Sequence, residues 1–166
     1  MILTIHRGAK EIGGSCIELQ SDHSMILLDF GLPLVDDTRE QLDPKKIISL
    51  SKEELLEKGL LPRIKGLYDN DLPQIDAILL SHPHQDHYGL LSYINHEIPV
   101  YMSRGCKALL EASYYFGQTN YDLGNIKTVR PWRPVRIGNF TITPYLVDHS
   151  GFDALAYLIE SEGKSW

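Results

Sequence analysis

A chain of 166 residues with 43% apolar and 23% charged side chains has the size and composition of one globular domain, not of a fibrous or disordered polymer. Its 16 basic and 22 acidic side chains leave a formal charge of −6, which excludes a general attraction to polyanions, so any nucleic-acid contact needs a local basic patch. Cys16 and Cys106 form no Cys-x-x-Cys pair, which argues against a disulfide framework or a thiolate zinc knuckle, and no apolar stretch is long enough to span a membrane; cytoplasmic residence is the expectation.

In chain order, residues 1–5 alternate as a strand does and are too short for a signal peptide. Segments 12–19 and 25–30 are apolar and separated by a turn-like Gln20-Ser-Asp-His-Ser24, the pattern of a β-hairpin with a four- to five-residue loop, and Asp29 ends the second strand at a Gly31 turn. Residues 32–74 carry Pro, Asp and Lys and predict a surface excursion, apart from one helix opened by the capping box Ser51-x-x-Glu54 and closed near Gly59. The apolar run 77–80 is a buried strand that delivers the chain to His82. A helix through Leu90, Leu91 and Ile94 follows, then a strand at 99–102, then a helix capped by Ser103 that carries Leu109, Leu110, Ala112 and Phe116. After a loop at 121–125, strands are expected at 135–137, 140–144, 145–147 and 154–159, with Gly138-Asn139 as a hairpin turn. Hairpins, then α/β units, then hairpins predict a layered α/β sandwich and not a doubly wound parallel sheet.

The chemistry is concentrated in Ser81-His-Pro-His-Gln-Asp-His87. Alternate residues of an extended segment face the same way, so His82 and His84 can aim two imidazoles at one ion while Pro83 stiffens the backbone between them. Asp86 and His87 follow where the chain turns toward Gly89, offering a carboxylate and an imidazole to a second ion. A lone histidine is ordinarily a surface or satisfied core residue, and His6, His23 and His96 are read that way; three of the seven histidines in one six-residue window are not. His149, in Leu146-Val-Asp-His-Ser-Gly151 at another strand end, can supply the third ligand of a three-ligand site that keeps one position open to water. Lys127, Arg130, Arg133 and Arg136, interleaved with Trp132, fit either a grip on a nucleic-acid backbone with a stacked base or a solvated hairpin face.

The histidine stretch resembles the His-x-His-x-Asp-His motif of the metallo-β-lactamase superfamily, and Ile26-Leu-Leu-Asp-Phe-Gly31 resembles its early strand ending in Asp. Glu11-Ile-Gly-Gly-Ser-Cys16, the run from His82 to Gly89, and Asp148-His-Ser150 look like the branch containing ribonuclease J and the β-CASP nucleases. The resemblance implies an αββα sandwich of two similar halves and a single domain over 1–166. It places His82, His84 and His149 on one metal and Asp86 and His87 on half of a second, with Asp86 orienting the nucleophile or moving a proton. Asp29 would lie beneath the ligands and orient their imidazoles, its bland alternative being a strand-end turn. Zinc is the expected ion, one or two per chain, although imidazole and carboxylate also accept manganese or iron.

The implied reaction is hydrolysis by metal-activated water, with RNA or another phosphodiester as substrate; a (thio)ester, lactone or small phosphoester is the alternative, and a metal-binding fragment without turnover a third reading. An oxidoreductase is disfavoured because the di-iron members place a carboxylate where this chain has His84. The family next uses a bridging carboxylate and a later histidine, whereas only Asp153, Glu160 and Glu162 follow His149. The expectation is therefore a C-terminally truncated fold with an incomplete second site, weak or absent activity, and an exposed sheet that favours a homo-oligomer.

Overall fold

The structure is a computed structural model that describes residues 1–10, 12–35, 40–68, 72–117, 124–161 and 163–165. Among the described residues ten strands fall into two sheets. The first holds β1 (Ile2–Arg7), β2 (Cys16–Ser21), β3 (Ser24–Leu28), β4 (Ala77–Leu79), β5 (Val100–Ser103) and β6 (Ile126–Val129), in that order across the sheet. β1 to β3 pair antiparallel and β3 to β6 pair parallel, so the C-terminal ends of the last four strands share one edge. The second sheet is antiparallel, ordered β10-β9-β8-β7, from β7 (Val135–Ile137), β8 (Phe140–Leu146), β9 (Leu155–Ser161) and β10 (Lys164–Ser165).

Alternation along the strands divides the apolar residues between two cores. Ala77 and Leu79 of β4 meet Leu19, Ile26, Ile137, Phe140, Ile142 and Ile159 between the sheets. Ile78 and Leu80 point to the other face, where Leu27, Val100 and Met102 pack against Cys106 and Leu110 of the long helix. With both faces covered, β4 is continuously apolar, as a central parallel strand must be. The helices are α1 (Pro44–Ile48), α2 (Lys52–Glu57), α3 (Gln85–Tyr88) and α4 (Arg104–Tyr115). Segment 32–74, expected to run over the surface, sends Ile47, Leu55, Leu61, Ile64 and Leu67 into the core beneath it. The architecture is thus a helical layer on two stacked sheets, and among the described residues no helix covers the outer face of the second sheet.

Several elements differ from expectation for local reasons. The β2–β3 turn is two residues, Asp22-His23, because pairing continues to Ser21 and Ser24 and Asp22 takes φ 50°. The helix expected through Ile94 is only α3 plus a 3-10 turn at Leu91–Tyr93: Leu90 and Leu91 are buried, and the Leu90 N–H goes to the Phe30 carbonyl instead of continuing the helix. The strands expected at 140–144 and 145–147 are one strand, since Pro144 lacks only an N–H that the ladder does not need there. β6 and α1 carry too short an apolar signal to be read in advance. The capping box of α2 is present in both directions, and Ser103 Oγ accepts from the Cys106 N–H at the start of α4. Residues 121–123 of the expected loop, with Glu11, Glu162 and Trp166, lie outside the described residues.

Candidate metal centre

The shared edge of β3 to β6 builds the site. β3 delivers Asp29, in the left-handed region at φ 57°, and β4 delivers Ser81 and His82. The two strand ends are tied, with Asp29 N–H donating to the Leu79 carbonyl (2.9 Å). The second sheet adds two anchors: the buried Tyr157 hydroxyl donates to the Leu80 carbonyl (2.8 Å) and Leu155 N–H to that of Ser81 (2.9 Å).

α3 is a four-residue turn in which only the Gln85 carbonyl has a partner from the turn itself, the Gly89 N–H (2.7 Å). Backbone N–H groups of the early motifs supply the rest: Ser15 to Asp86 (3.1 Å), Phe30 to His87 (2.7 Å) and Leu32 as a second donor to Gln85 (2.9 Å). Gly31 is required for this approach, because a Cβ there would stand 1.6 Å from the Asp86 carbonyl oxygen. His84 is the N-cap of α3 in an extended conformation (φ −96°, ψ 142°) and makes no side-chain cap, which leaves its imidazole for the cluster.

His149 comes from the loop after β8, and that loop is fixed at two points. Asp153 accepts the Gly105 N–H at the start of α4 (2.7 Å), satisfying one of the free donors of the helix. Gly151 lies against His82, where a Cβ would come 2.8 Å from Cδ2. The third imidazole therefore belongs to the other sheet and is brought in by tertiary packing.

The three imidazoles converge. His82 Nε2 is 3.1 Å from His84 Nδ1 and 3.1 Å from His149 Nε2, and one ligand nitrogen from each ring lies within 4.8 Å of the others. Ligands about 2.0–2.1 Å from a tetrahedral ion sit roughly 3.3 Å apart, so this donor set has the spacing of three imidazoles that could hold one divalent ion. His82 is the floor, 5% exposed, while His84 is half-buried and His149 exposed, so the remaining coordination direction opens to solvent.

Proton bookkeeping supports the same reading. Asp29 accepts three hydrogen bonds, from Ser81 N–H (2.8 Å), Ser81 Oγ–H (2.9 Å) and His87 Nδ1–H (2.7 Å). A carboxylate has no proton to give, and the Ser81 hydroxyl has only one, already committed to Asp29. Ser81 Oγ must then accept from His82 Nδ1–H (2.9 Å). Both His82 and His87 are thereby held as Nδ1–H tautomers with Nε2 lone pairs turned toward the site.

Burial, followed by the neighbouring rings of His87, His149 and His84, pushes the pKa of His82 down to about 4, so it stays neutral, the form that binds metal. Burial acts the same way on His87, but its hydrogen bond to Asp29 and the charges of Asp29 and Asp86 outweigh it and raise that pKa.

Asp86 and His87 lie side by side, Oδ2 to Nε2 3.5 Å, next to the triad. Among the described residues the triad is the one cluster of three metal-ligating groups with converging atoms. Asp29 contacts His87 directly and His82 through Ser81, a relay that the sequence did not reveal; Ser81 was visible only as the residue before the motif. Asp153, considered only as an acid after His149, serves the helix terminus instead. Arg130, Trp132 and Arg133 lie on an exposed turn outside the cluster, and His6 pairs with Glu18 (2.8 Å). Cys16 and Cys106 are both buried and unbridged.

The family model of the β-lactamase superfamily domain matches residues 54–166. Probable RNase MJ4 of Methanocaldococcus jannaschii is 33% identical over 111 residues, 64% of this chain and 20% of its own length. Ribonuclease J of Mycoplasma genitalium is 23% identical over 156 residues, 93% of this chain and 25% of its own. The chain thus spans a quarter or less of these relatives. A solved protein of unknown function from Enterococcus faecalis is similar over 98% of this chain and 41% of its own, with a TM-score of 0.79 at 24% identity. A subclass B3 metallo-β-lactamase from a soil metagenome gives 0.56 at 18% identity, over 92% of this chain and 54% of its own. With the fold, the three-histidine cluster and these similarities together, the chain belongs to the β-lactamase superfamily, and its similarity is to the ribonuclease J-like branch.

Proposed function

We propose that the chain holds the metal centre of a hydrolase that cleaves phosphodiesters, with RNA as the substrate class. The observation that carries this reading is the convergence of His82 Nε2, His84 Nδ1 and His149 Nε2, with the proton of His82 committed on its far side to Ser81. The choice of RNA rests on what similar proteins are called, ribonuclease J and probable RNase.

A divalent ion, when bound, makes a water nucleophilic near neutral pH and polarises the bond to be cleaved. The chain's own groups do the rest. His82, His84 and His149 would hold the ion, with zinc the first candidate by ligand chemistry. Asp29 and Ser81 keep the imidazole protons on the outer nitrogens. Asp86, 29% exposed at its side chain and adjacent to the triad, is placed to orient the attacking water and accept its proton, while His87 keeps an Nε2 lone pair for a second ion.

The test is hydrolysis of bis(p-nitrophenyl) phosphate and of a labelled single-stranded RNA by the metal-loaded chain. Cleavage of both, abolished in His84→Ala and reduced at least about 100-fold in Asp86→Asn, is expected. A metal-loaded chain that leaves both diesters intact while cleaving thioesters or lactones would overturn the phosphodiester reading.

A further inference from the structure

We infer that the turn at residues 130–133 is a single-stranded nucleic-acid platform, with Trp132 stacking on a base and Arg130 and Arg133 holding the flanking phosphates. This deepens the proposed RNA reading and rests on it for the substrate class.

Arg133 N–H donates to the Arg130 carbonyl (3.2 Å), closing a four-residue turn with Pro131 at its second position and Trp132 at its third. Trp132 has φ 60°, and positive φ at the third position after Pro is the type II pattern, which ordinarily calls for Gly or Asn. A tryptophan there is strained, and the strain is not offset by burial, since Trp132 is 63% exposed. Its N–H is fixed to the Pro144 carbonyl (2.7 Å) on β8, which anchors the main chain from which the exposed indole projects.

The surroundings are cationic. Lys127, Arg130, Arg133 and Arg136 recur every third residue, all exposed, and no Asp or Glu occurs between Asp122 and Asp148, in a chain whose formal charge is −6. Among the described residues none of the four forms an ion pair with a carboxylate. Unpaired guanidinium groups beside an exposed indole meet the two requirements of single-strand binding, a phosphate track and a π-face.

The platform also lies at the right edge. Leu79 pairs with Tyr101 and Tyr101 with Lys127, so His82 and Arg130 each stand three residues beyond the same level, two strands apart. At ~4.8 Å between strands that is roughly 10 Å. The span is that of about three stacked nucleotides at ~3.4 Å each, so a strand held at Arg130 can reach the histidines.

The experiment is anisotropy of a labelled single-stranded RNA 12-mer with the full chain in EDTA, repeated over a range of salt. Trp132→Ala should weaken binding about 5- to 100-fold and Trp132→Phe much less. Trp132→Asn, which tolerates positive φ, should weaken it as Ala does, separating stacking from backbone strain. The Arg130→Ala, Arg133→Ala double variant should reduce the slope of log K against log salt by about 0.7 for each phosphate that is no longer neutralised. All three Trp132 variants should hydrolyse the small diester as the parent does. Unchanged RNA affinity in Trp132→Ala and Trp132→Asn, with diester cleavage intact, overturns the platform and leaves the hydrolase reading standing. RNA binding that depends on Trp132 in a chain that cleaves no diester upholds the platform and overturns the hydrolase. Equal, Trp132-dependent binding of polyglutamate would show an acidic protein surface as the occupant and overturn the nucleic-acid assignment.

Discussion

Replacing Asp29 by Ala removes the acceptor of three protons at once: those of Ser81 N–H, Ser81 Oγ–H and His87 Nδ1–H. These donors are half-buried, so each one left without a partner costs about 1 kcal/mol, the low end of the range for buried groups, and Ala tolerates φ 57° less well than Asp, so a loss of roughly 2–4 kcal/mol of stability is expected. The consequence for metal is more specific. With Ser81 Oγ released, His82 and His87 are free to carry the proton on Nε2, where it blocks ligation. Outer partners of metal-binding imidazoles are worth about 10–100-fold in affinity, or roughly 1.4–2.7 kcal/mol, and that loss should appear in a competition titration with a chelating dye. Asp29→Asn separates the two effects, because Asn accepts positive φ and can still offer one oxygen to Ser81 Oγ and His87 while its amide crowds Ser81 N–H. Its metal affinity should lie much closer to the parent. Nitrogen NMR shifts of the imidazoles read the tautomers directly. Zinc binding by Asp29→Ala within twofold of the parent, with both Nδ1–H tautomers retained, would refute this coupling.

Gly31→Ala should cost at least about 3 kcal/mol in urea unfolding, since its Cβ would meet Asp86 and His87 backbone that cannot yield. Gly151→Ala presses on His82 instead, and metal affinity should fall about tenfold with a smaller change in stability; the reverse order of effects would contradict the assigned contact. Asp153→Ala should lose about 1 kcal/mol at the α4 terminus and weaken metal binding through His149, whereas Asp153→Asn recovers most of both. Burial pushes both Cys16 and Cys106 thiols up to about 12, from 9.0. Both should therefore resist a thiol reagent at pH 8 until the chain unfolds. An acid whose folded pKa is raised gives stability that is full below its unfolded value and lost as pH climbs, so the stability these thiols contribute should decline between about pH 9 and 12. The Cys16→Ala, Cys106→Ala variant should flatten that decline.

The parts of this centre that are contiguous in the chain were legible in the sequence. His82, His84, Asp86 and His87 are fixed by one strand and one turn, and the apolar run before them announces the strand. His149 could be named only because a three-ligand site lacked a ligand, as its approach depends on packing between two sheets. Ser81 and Asp153 were not legible in role: a serine before a histidine and a loop aspartate are common, and their importance lies in partners 52 and 48 residues away. The helix read through Ile94 failed because its apolar residues satisfy helical spacing while the backbone donor of Leu90 is claimed by Phe30. The core contributed by 47–67 was hidden by the charged residues interspersed with Ile47, Leu55 and Ile64.

The most direct test of the metal centre is X-ray absorption of the zinc-loaded chain, paired with affinity measurements on His149→Ala. One tightly held ion with three imidazole nitrogens at about 2.0–2.1 Å, reduced to two and bound far more weakly in His149→Ala, is the expected result. Zinc held with unchanged affinity and unchanged nitrogen count in His149→Ala, or no stoichiometric uptake by the parent, would contradict a site shared between the two sheets.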